Sequence, residues 1–214
     1  MSKKILFFIL FLGFIPLTLP HAETIPVEKT EQTILIMGDS LSAAYGIPAE
    51  KGWVQLLVQY LEAQRYETNV VNASISGETT QGGLTRFPNL LEKHHPTIVV
   101  LELGANDGLR GQSLKQMQKN LAEMIEKSQQ ISVKVLLLGM KLPPNYGIYA
   151  ERFQQIYHDL AKQYKLRLVP FFLADVVAEP DLMQADGLHP TAKAQSKLFA
   201  TVWAQLKHLY IIPD

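Results

Sequence analysis

The chain has 214 residues, 47% of them hydrophobic and 19% charged, with a formal net charge of zero and no cysteine. That length supports one α/β domain with a full core, and the composition is that of a globular rather than a disordered protein. Balanced charge without a basic run argues against a nucleic-acid partner, and the absence of cysteine removes disulfides, thiolate-zinc sites and a cysteine nucleophile together.

The first 22 residues read as a signal peptide. Lys3 and Lys4 form a basic start, Ile5 to Leu19 an apolar stretch, and Pro20-His21-Ala22 a cleavage site with small Ala22 before the cut. The apolar run is short for a spanning helix of ~20 residues and contains Pro16, so cleavage is favoured over a retained anchor. Export to the periplasm or the medium follows, with no stable membrane insertion afterwards. Loss of the two lysines leaves 18 basic against 20 acidic side chains. Residues 23–32 then read as a polar linker, and 33–214 as the folded domain.

Ile34 to Met37 is a short apolar run with the character of a buried strand. It stops at Gly38-Asp39-Ser40. A helix over 52–64 is predicted from Trp53, Leu56, Leu57, Tyr60 and Leu61 at helical spacing. Thr68 to Asn72 is a second strand, followed by the loop Ala73 to Thr79 and a helix over 80–94 disturbed by Pro88. Thr97 to Leu103 is continuous and β-branched, the pattern of a strand buried on both faces. It ends in the turn cluster Gly104-Ala105-Asn106-Asp107-Gly108.

Ser113 with Gln116 is a capping-box signature opening a helix that buries Leu114, Met117, Leu121, Met124 and Ile125. Val133 to Leu138 is a fourth strand, Tyr149 to Tyr164 a helix, and Leu166 to Val169 a short fifth strand. An irregular stretch leads to Asp186-Gly187-Leu188-His189-Pro190, with Pro190 suited to the first turn of the last helix. Regular β-α alternation predicts a five-stranded parallel sheet with helices on both faces. Right-handed crossovers then put the carboxyl ends of all strands on one edge, so the polar turns converge there.

Ser40 sits at such an edge and needs a base to become a nucleophile. His189 is the candidate, with Asp186 three residues earlier to orient it. Taken alone, Asp186 reads rather as a cap of the last helix and His189 as a solvated loop residue. His94, His95, His158 and His208 read as surface residues. Candidate donors for an oxyanion are the Ser40 amide, the Gly77 amide and the Asn106 side chain. Read one at a time, Gly77 is equally a turn glycine and Asn106 equally the Asx residue of a turn.

Together the four turns G-D-S, S-G, G-x-N-D and D-x-x-H resemble the four blocks of the SGNH superfamily, also called GDSL hydrolases. Gly38-Asp39-Ser40-Leu41-Ser42 matches the family signature residue by residue. The stretches 71–77, 103–111, 142–147, 170–172 and 183–190 are similar to its bacterial periplasmic branch of multifunctional thioesterases, lysophospholipases and arylesterases. The resemblance implies a three-layer α/β/α flavodoxin-like fold. It implies Ser40 as nucleophile, His189 as base, Asp186 as its orienter, and an oxyanion hole of Ser40, Gly77 and Asn106. It also implies that the loop 108–113 corresponds to a mobile segment that covers acyl chains, with Leu109 a substrate contact, and that Asp39 holds the turn rather than reacting. A serine esterase acting on acyl esters and thioesters (lysophospholipids, aryl esters, acyl-CoA-type thioesters) is the expected function, with no metal or organic cofactor and a monomeric state. Two rivals stand beside it: a carbohydrate or peptidoglycan O-acetylesterase of the same superfamily, and a non-catalytic lipid-binding protein.

Overall fold

Strand β1 (Gln32–Gly38) carries Ile34, Leu35, Ile36 and Met37 with no exposed surface at all. Side chains alternate across a strand, so four consecutive buried residues require cover on both faces. The computed structural model describes residues 32–210 and supplies that cover. The signal peptide expected at 1–22 and all but the last residue of the expected linker lie outside the described residues.

From β1 the chain runs through α1 (Trp53–Ala63), β2 (Thr68–Asn72), α2 (Thr80–His94), β3 (Ile98–Glu102), α3 (Ala105–Leu109) and α4 (Leu114–Gln130). Then follow β4 (Lys134–Leu138), α5 (Ile148–Tyr164), β5 (Arg167–Val169) and α6 (Gln195–Leu206). All five strands are parallel, in the order β2-β1-β3-β4-β5. Helix α1 packs on α6, α2 on α4, and α5 beside α4. The protein is therefore the expected three-layer α/β/α fold of flavodoxin-like order, with helices on both faces of one sheet.

The connection from β1 goes outward to β2, whereas that from β3 goes the other way to β4. The strand order reverses between them, and the crevice of an open α/β sheet lies at such a point. Register sharpens this: Gly38 pairs with Glu102, so β1 and β3 end level and release their loops side by side.

Two local differences from the sequence reading have physical reasons. Gly104-Ala105-Asn106-Asp107-Gly108 forms the short helix α3 rather than a turn, entered through Gly104 at φ +116°. Pro190 does not open the last helix. It lies opposite Met183 in an isolated antiparallel bridge, and α6 starts at Gln195 after a 3-10 turn at Ala192–Ala194. The helix expected over 80–94 is present as α2, with Pro88 inside it. The inward faces follow the predicted periodicity, except that in α1 Val54 is buried while Leu56 and Tyr60 are half-buried, and that in α4 Leu114 is half-buried. Tyr60 instead meets Phe199 and Trp203 of α6, ring centroids 5.4 and 4.8 Å away.

Candidate active site

The loop after β1 is built around a pair of buried carboxylates. Asp39 Oδ1 accepts the Leu41 amide at 3.0 Å, which closes the turn and presents Ser40 outward. Beneath it, Glu102 Oε2 accepts the Asp39 amide at 3.2 Å and the Ser42 hydroxyl at 2.7 Å. Gly38 is required here, because a Cβ would lie 2.7 Å from Glu102 Oε2 and 2.8 Å from Ser42 Cβ.

Burial pushes the Asp39 carboxyl up to about 6, against hydrogen bonds from Leu41 and Asn106 that favour its charge. Burial and the nearby Asp39 charge push Glu102 well above the usual carboxylate range. Glu102 Oε1 is buried and has no hydrogen-bond partner. A charged oxygen left so would be costly, and a neutral carboxyl fits the pocket. Burial and the Asp39 charge thus both disfavour ionisation of Glu102.

Ser40 Oγ lies 2.9 Å from His189 Nε2, and His189 Nδ1 lies 2.7 Å from Asp186 Oδ2. The other carboxylate oxygen, Oδ1, accepts the main-chain N–H groups of Leu188 and His189 at 2.9 and 3.0 Å. Hydrogen bonds from the His189 main chain and ring, then from Leu188, hold the Asp186 carboxyl down to about 2, so it is ionised at neutral pH. The Asp186–His189 loop docks on the Ser40 loop through Gln184, whose side-chain amide donates to the carbonyls of Tyr45 (2.9 Å) and Pro190 (3.0 Å). The Tyr45 ring covers one face of the imidazole, with centroids 4.5 Å apart.

On the other side of Ser40, Asn106 comes in on α3 and Gly77 on the β2–α2 loop. Asn106 Nδ2 donates to Asp39 Oδ2 at 3.0 Å, leaving its second N–H free of that bond. Gly77 has φ +77°, a conformation that favours glycine. Among the described residues, neither the Ser40 nor the Gly77 main-chain N–H donates to a protein acceptor. Asp107 anchors α3 from below by accepting the Thr80 amide and hydroxyl at 2.8 and 2.6 Å.

A cavity of about 470 Å³ opens beside this row. Ser40, Asn106 and His189 stand at one side, and Leu109, Met140, Leu142, Phe171, Leu173 and Met183 supply apolar wall. The loop carrying Leu109 is tied down by two tyrosines: Tyr146 donates to the Leu109 carbonyl at 3.0 Å and Tyr149 to the Gln112 carbonyl at 2.7 Å. No helix among the described residues is long and apolar enough to cross a membrane.

All the sequence-predicted residues therefore meet at one place: Ser40, Asp186 and His189 in one hydrogen-bonded row, Asn106 and Gly77 beside it, Leu109 in the cavity wall. Sequence reasoning missed Glu102, Gln184 and Tyr45. Glu102 carried a signal, as the lone acid ending a run of buried apolar residues. The others acquire meaning only from partners distant in sequence.

A hydroxyl, an imidazole and a carboxylate lined up at the carboxyl edge of a parallel α/β/α sheet, beside free backbone donors and an apolar cavity, are the architecture of a serine-type acyl hydrolase. The chain belongs to the GDSL-like Lipase/Acylhydrolase family, which it matches over residues 36–197. It is 52% identical to the esterase TesA of Pseudomonas aeruginosa over 183 residues, covering 85% of this chain and 91% of that protein. It is 43% identical to the thioesterase 1/protease 1/lysophospholipase L1 of Escherichia coli over 178 residues, covering 83% of this chain and 84% of that one. The crystal structure of TesA superposes with a TM-score of 0.81 at 52% identity, covering 84% of this chain and all of that one.

Proposed function

We propose that this hydrolase cleaves acyl esters and thioesters through an acyl-enzyme on Ser40. The observation that carries the reading is the 2.9 Å approach of Ser40 Oγ to His189 Nε2 at the mouth of the apolar cavity. His189 Nε2 takes the hydroxyl proton as Oγ attacks the acyl carbonyl. Asp186 holds the Nδ1–H and offsets the imidazolium charge. The tetrahedral oxyanion is met by the Ser40 and Gly77 amides and the free N–H of Asn106. The C–O or C–S bond to the leaving group then breaks, and the imidazolium gives its proton to the departing alkoxide. A thiolate leaves more readily. Water, deprotonated by the same imidazole, then attacks the acyl carbonyl, the bond from Ser40 Oγ to the acyl carbon breaks, and the imidazolium returns its proton to Oγ as the carboxylic acid leaves. Every proton in this cycle is carried by His189.

The apolar lining favours medium and long acyl chains, which is the feature that separates this reading from an O-acetylesterase. Residues 1–22 support export, and lysophospholipids and other envelope esters are then more accessible than cytosolic acyl-CoA. The thioesterase and lysophospholipase named for the Escherichia coli relative are consistent with both substrate types.

The test is a series of p-nitrophenyl esters from acetyl to dodecanoyl, with acyl thioesters in parallel, on the purified protein. Each methylene drawn into the cavity is worth about 0.8 kcal/mol, so kcat/KM should rise by about fourfold per methylene until the cavity is filled. Activity confined to acetyl esters would replace this reading with the O-acetylesterase.

A further inference from the structure

Asn106 reaches the site on α3 and Gly77 on the β2–α2 loop, and no main-chain hydrogen bond joins them. One side chain does. Arg110 Nη2 donates to the Gly77 carbonyl at 3.1 Å and to Asn106 Oδ1 at 3.4 Å. Arg110 is four residues beyond Asn106, and its amide bonds to the Asn106 carbonyl at 3.2 Å, so the two side chains share one face of a helical turn.

We propose that Arg110 is a positioning residue that clamps the two loops of the oxyanion hole together. The inference rests on the acyl-enzyme reading above.

Each bond has a definite consequence. A primary amide can present either end. Asp39 accepts from Nδ2 and Arg110 donates to Oδ1, so Asn106 is held at both ends and its remaining N–H keeps one direction. Glycine is the residue with the freest backbone. Holding the Gly77 carbonyl restrains the torsion that a missing side chain leaves soft, and so steadies the neighbouring amide.

Charge reinforces geometry. Among the described residues no carboxylate lies within ion-pair distance of Arg110, and its other guanidinium nitrogens make no hydrogen bond to protein. An uncompensated cation therefore stands at the lip of the hole where negative charge develops. Arg110 is exposed, so screening by water leaves its hydrogen bonds as the larger contribution. Donors prepared in advance raise kcat rather than tighten ground-state binding.

The experiment compares wild type, Arg110→Ala, Arg110→Lys, Asn106→Ala and the double variant Asn106→Ala/Arg110→Ala on a neutral ester, p-nitrophenyl butyrate, and on a lysophosphatidylglycerol. Arg110→Ala should lower kcat by about 10-fold on both substrates with KM within about twofold, a smaller loss than removing a donor outright. Arg110→Lys, which keeps a donor and a charge, should recover part of it. In the Asn106→Ala background the further loss should shrink to about threefold, the share acting through Gly77.

Unchanged kcat on the neutral ester would overturn the clamp. A KM rise confined to the phospholipid would overturn it too, and make Arg110 a headgroup contact instead. Full additivity of the two substitutions would show that they act independently and would also refute it. Failure of the underlying reading looks different: wild type itself would hydrolyse neither substrate, or Ser40→Ala would retain full activity.

Discussion

Replacing Asp186 by Asn should damage the enzyme more than replacing it by Ala, and the reason lies in which oxygen does what. Oδ1 takes two main-chain N–H groups, from Leu188 and His189, at 2.9 and 3.0 Å. In Asp186→Asn the amide oxygen must occupy that position, because an NH₂ there would face two donors. The NH₂ is then forced into the place of Oδ2, 2.7 Å from His189 Nδ1. It donates to that nitrogen and drives the proton to Nε2, the atom that must accept from Ser40. A triad held in the wrong tautomer loses on the order of 10⁴ in rate in a serine protease. The Asp186 side chain is 40% exposed, so water softens the constraint. A loss of roughly 10³–10⁴, or about 4–5.5 kcal/mol of transition-state stabilisation, is expected. Asp186→Ala removes the carboxylate without imposing a tautomer, and water can enter, so its loss should be near the lower bound of general-base catalysis, about 10². The assay is kcat/KM on p-nitrophenyl butyrate at neutral pH for both variants, with thermal unfolding to show both are folded. An Asn variant more active than the Ala variant would refute the reasoning.

Asn106→Ala should lower kcat by about 10²-fold, as expected for loss of one oxyanion donor, with KM little changed; an unchanged kcat would remove Asn106 from the hole. Glu102→Gln tests the buried acid pair through stability. The Glu102 carboxyl titrates well above its unfolded value, so the folded state holds a proton that the unfolded state gives up. Wild-type stability therefore falls as pH rises through that interval, whereas glutamine does not titrate. Asp39, raised to about 6, contributes in the same direction between its unfolded value near 4 and pH 6. The melting temperature of Glu102→Gln minus that of wild type should grow more positive from pH 5 to pH 8. A constant difference would mean that Glu102 is not held neutral.

Most of the fold was legible because the chain alternates strand and helix with few interruptions. Thr68–Asn72 and Thr80–His94 occupy the residues read from the sequence. Where the reading failed, a tertiary partner had overruled a local rule. Pro190 has the residue type of a helix start, but its pairing with Met183 holds it outside α6. The Gly-Ala-Asn-Asp-Gly cluster has the composition of a turn, but Asp107 bonded to Thr80 fixes it as a helix. In the site, Ser40, Gly77, Asn106, Asp186 and His189 were visible through four turns that together resemble the family's blocks, although most of them read alone are turn or cap residues. Those that hold them were not. Arg110 is an ordinary exposed arginine until Gly77 and Asn106 are brought to it, and Gln184 an ordinary glutamine until two carbonyls meet its amide.

The central claim is that Ser40 carries the acyl group, and trapping that serine tests it most directly. The purified protein is treated with a fluorophosphonate, digested and mapped by mass spectrometry, with ester hydrolysis followed in the same sample. The account predicts one adduct, on the peptide containing Ser40, appearing in step with the loss of activity, and no adduct or hydrolysis in Ser40→Ala. Modification at another residue with loss of activity, or hydrolysis that survives full labelling of Ser40, would contradict it.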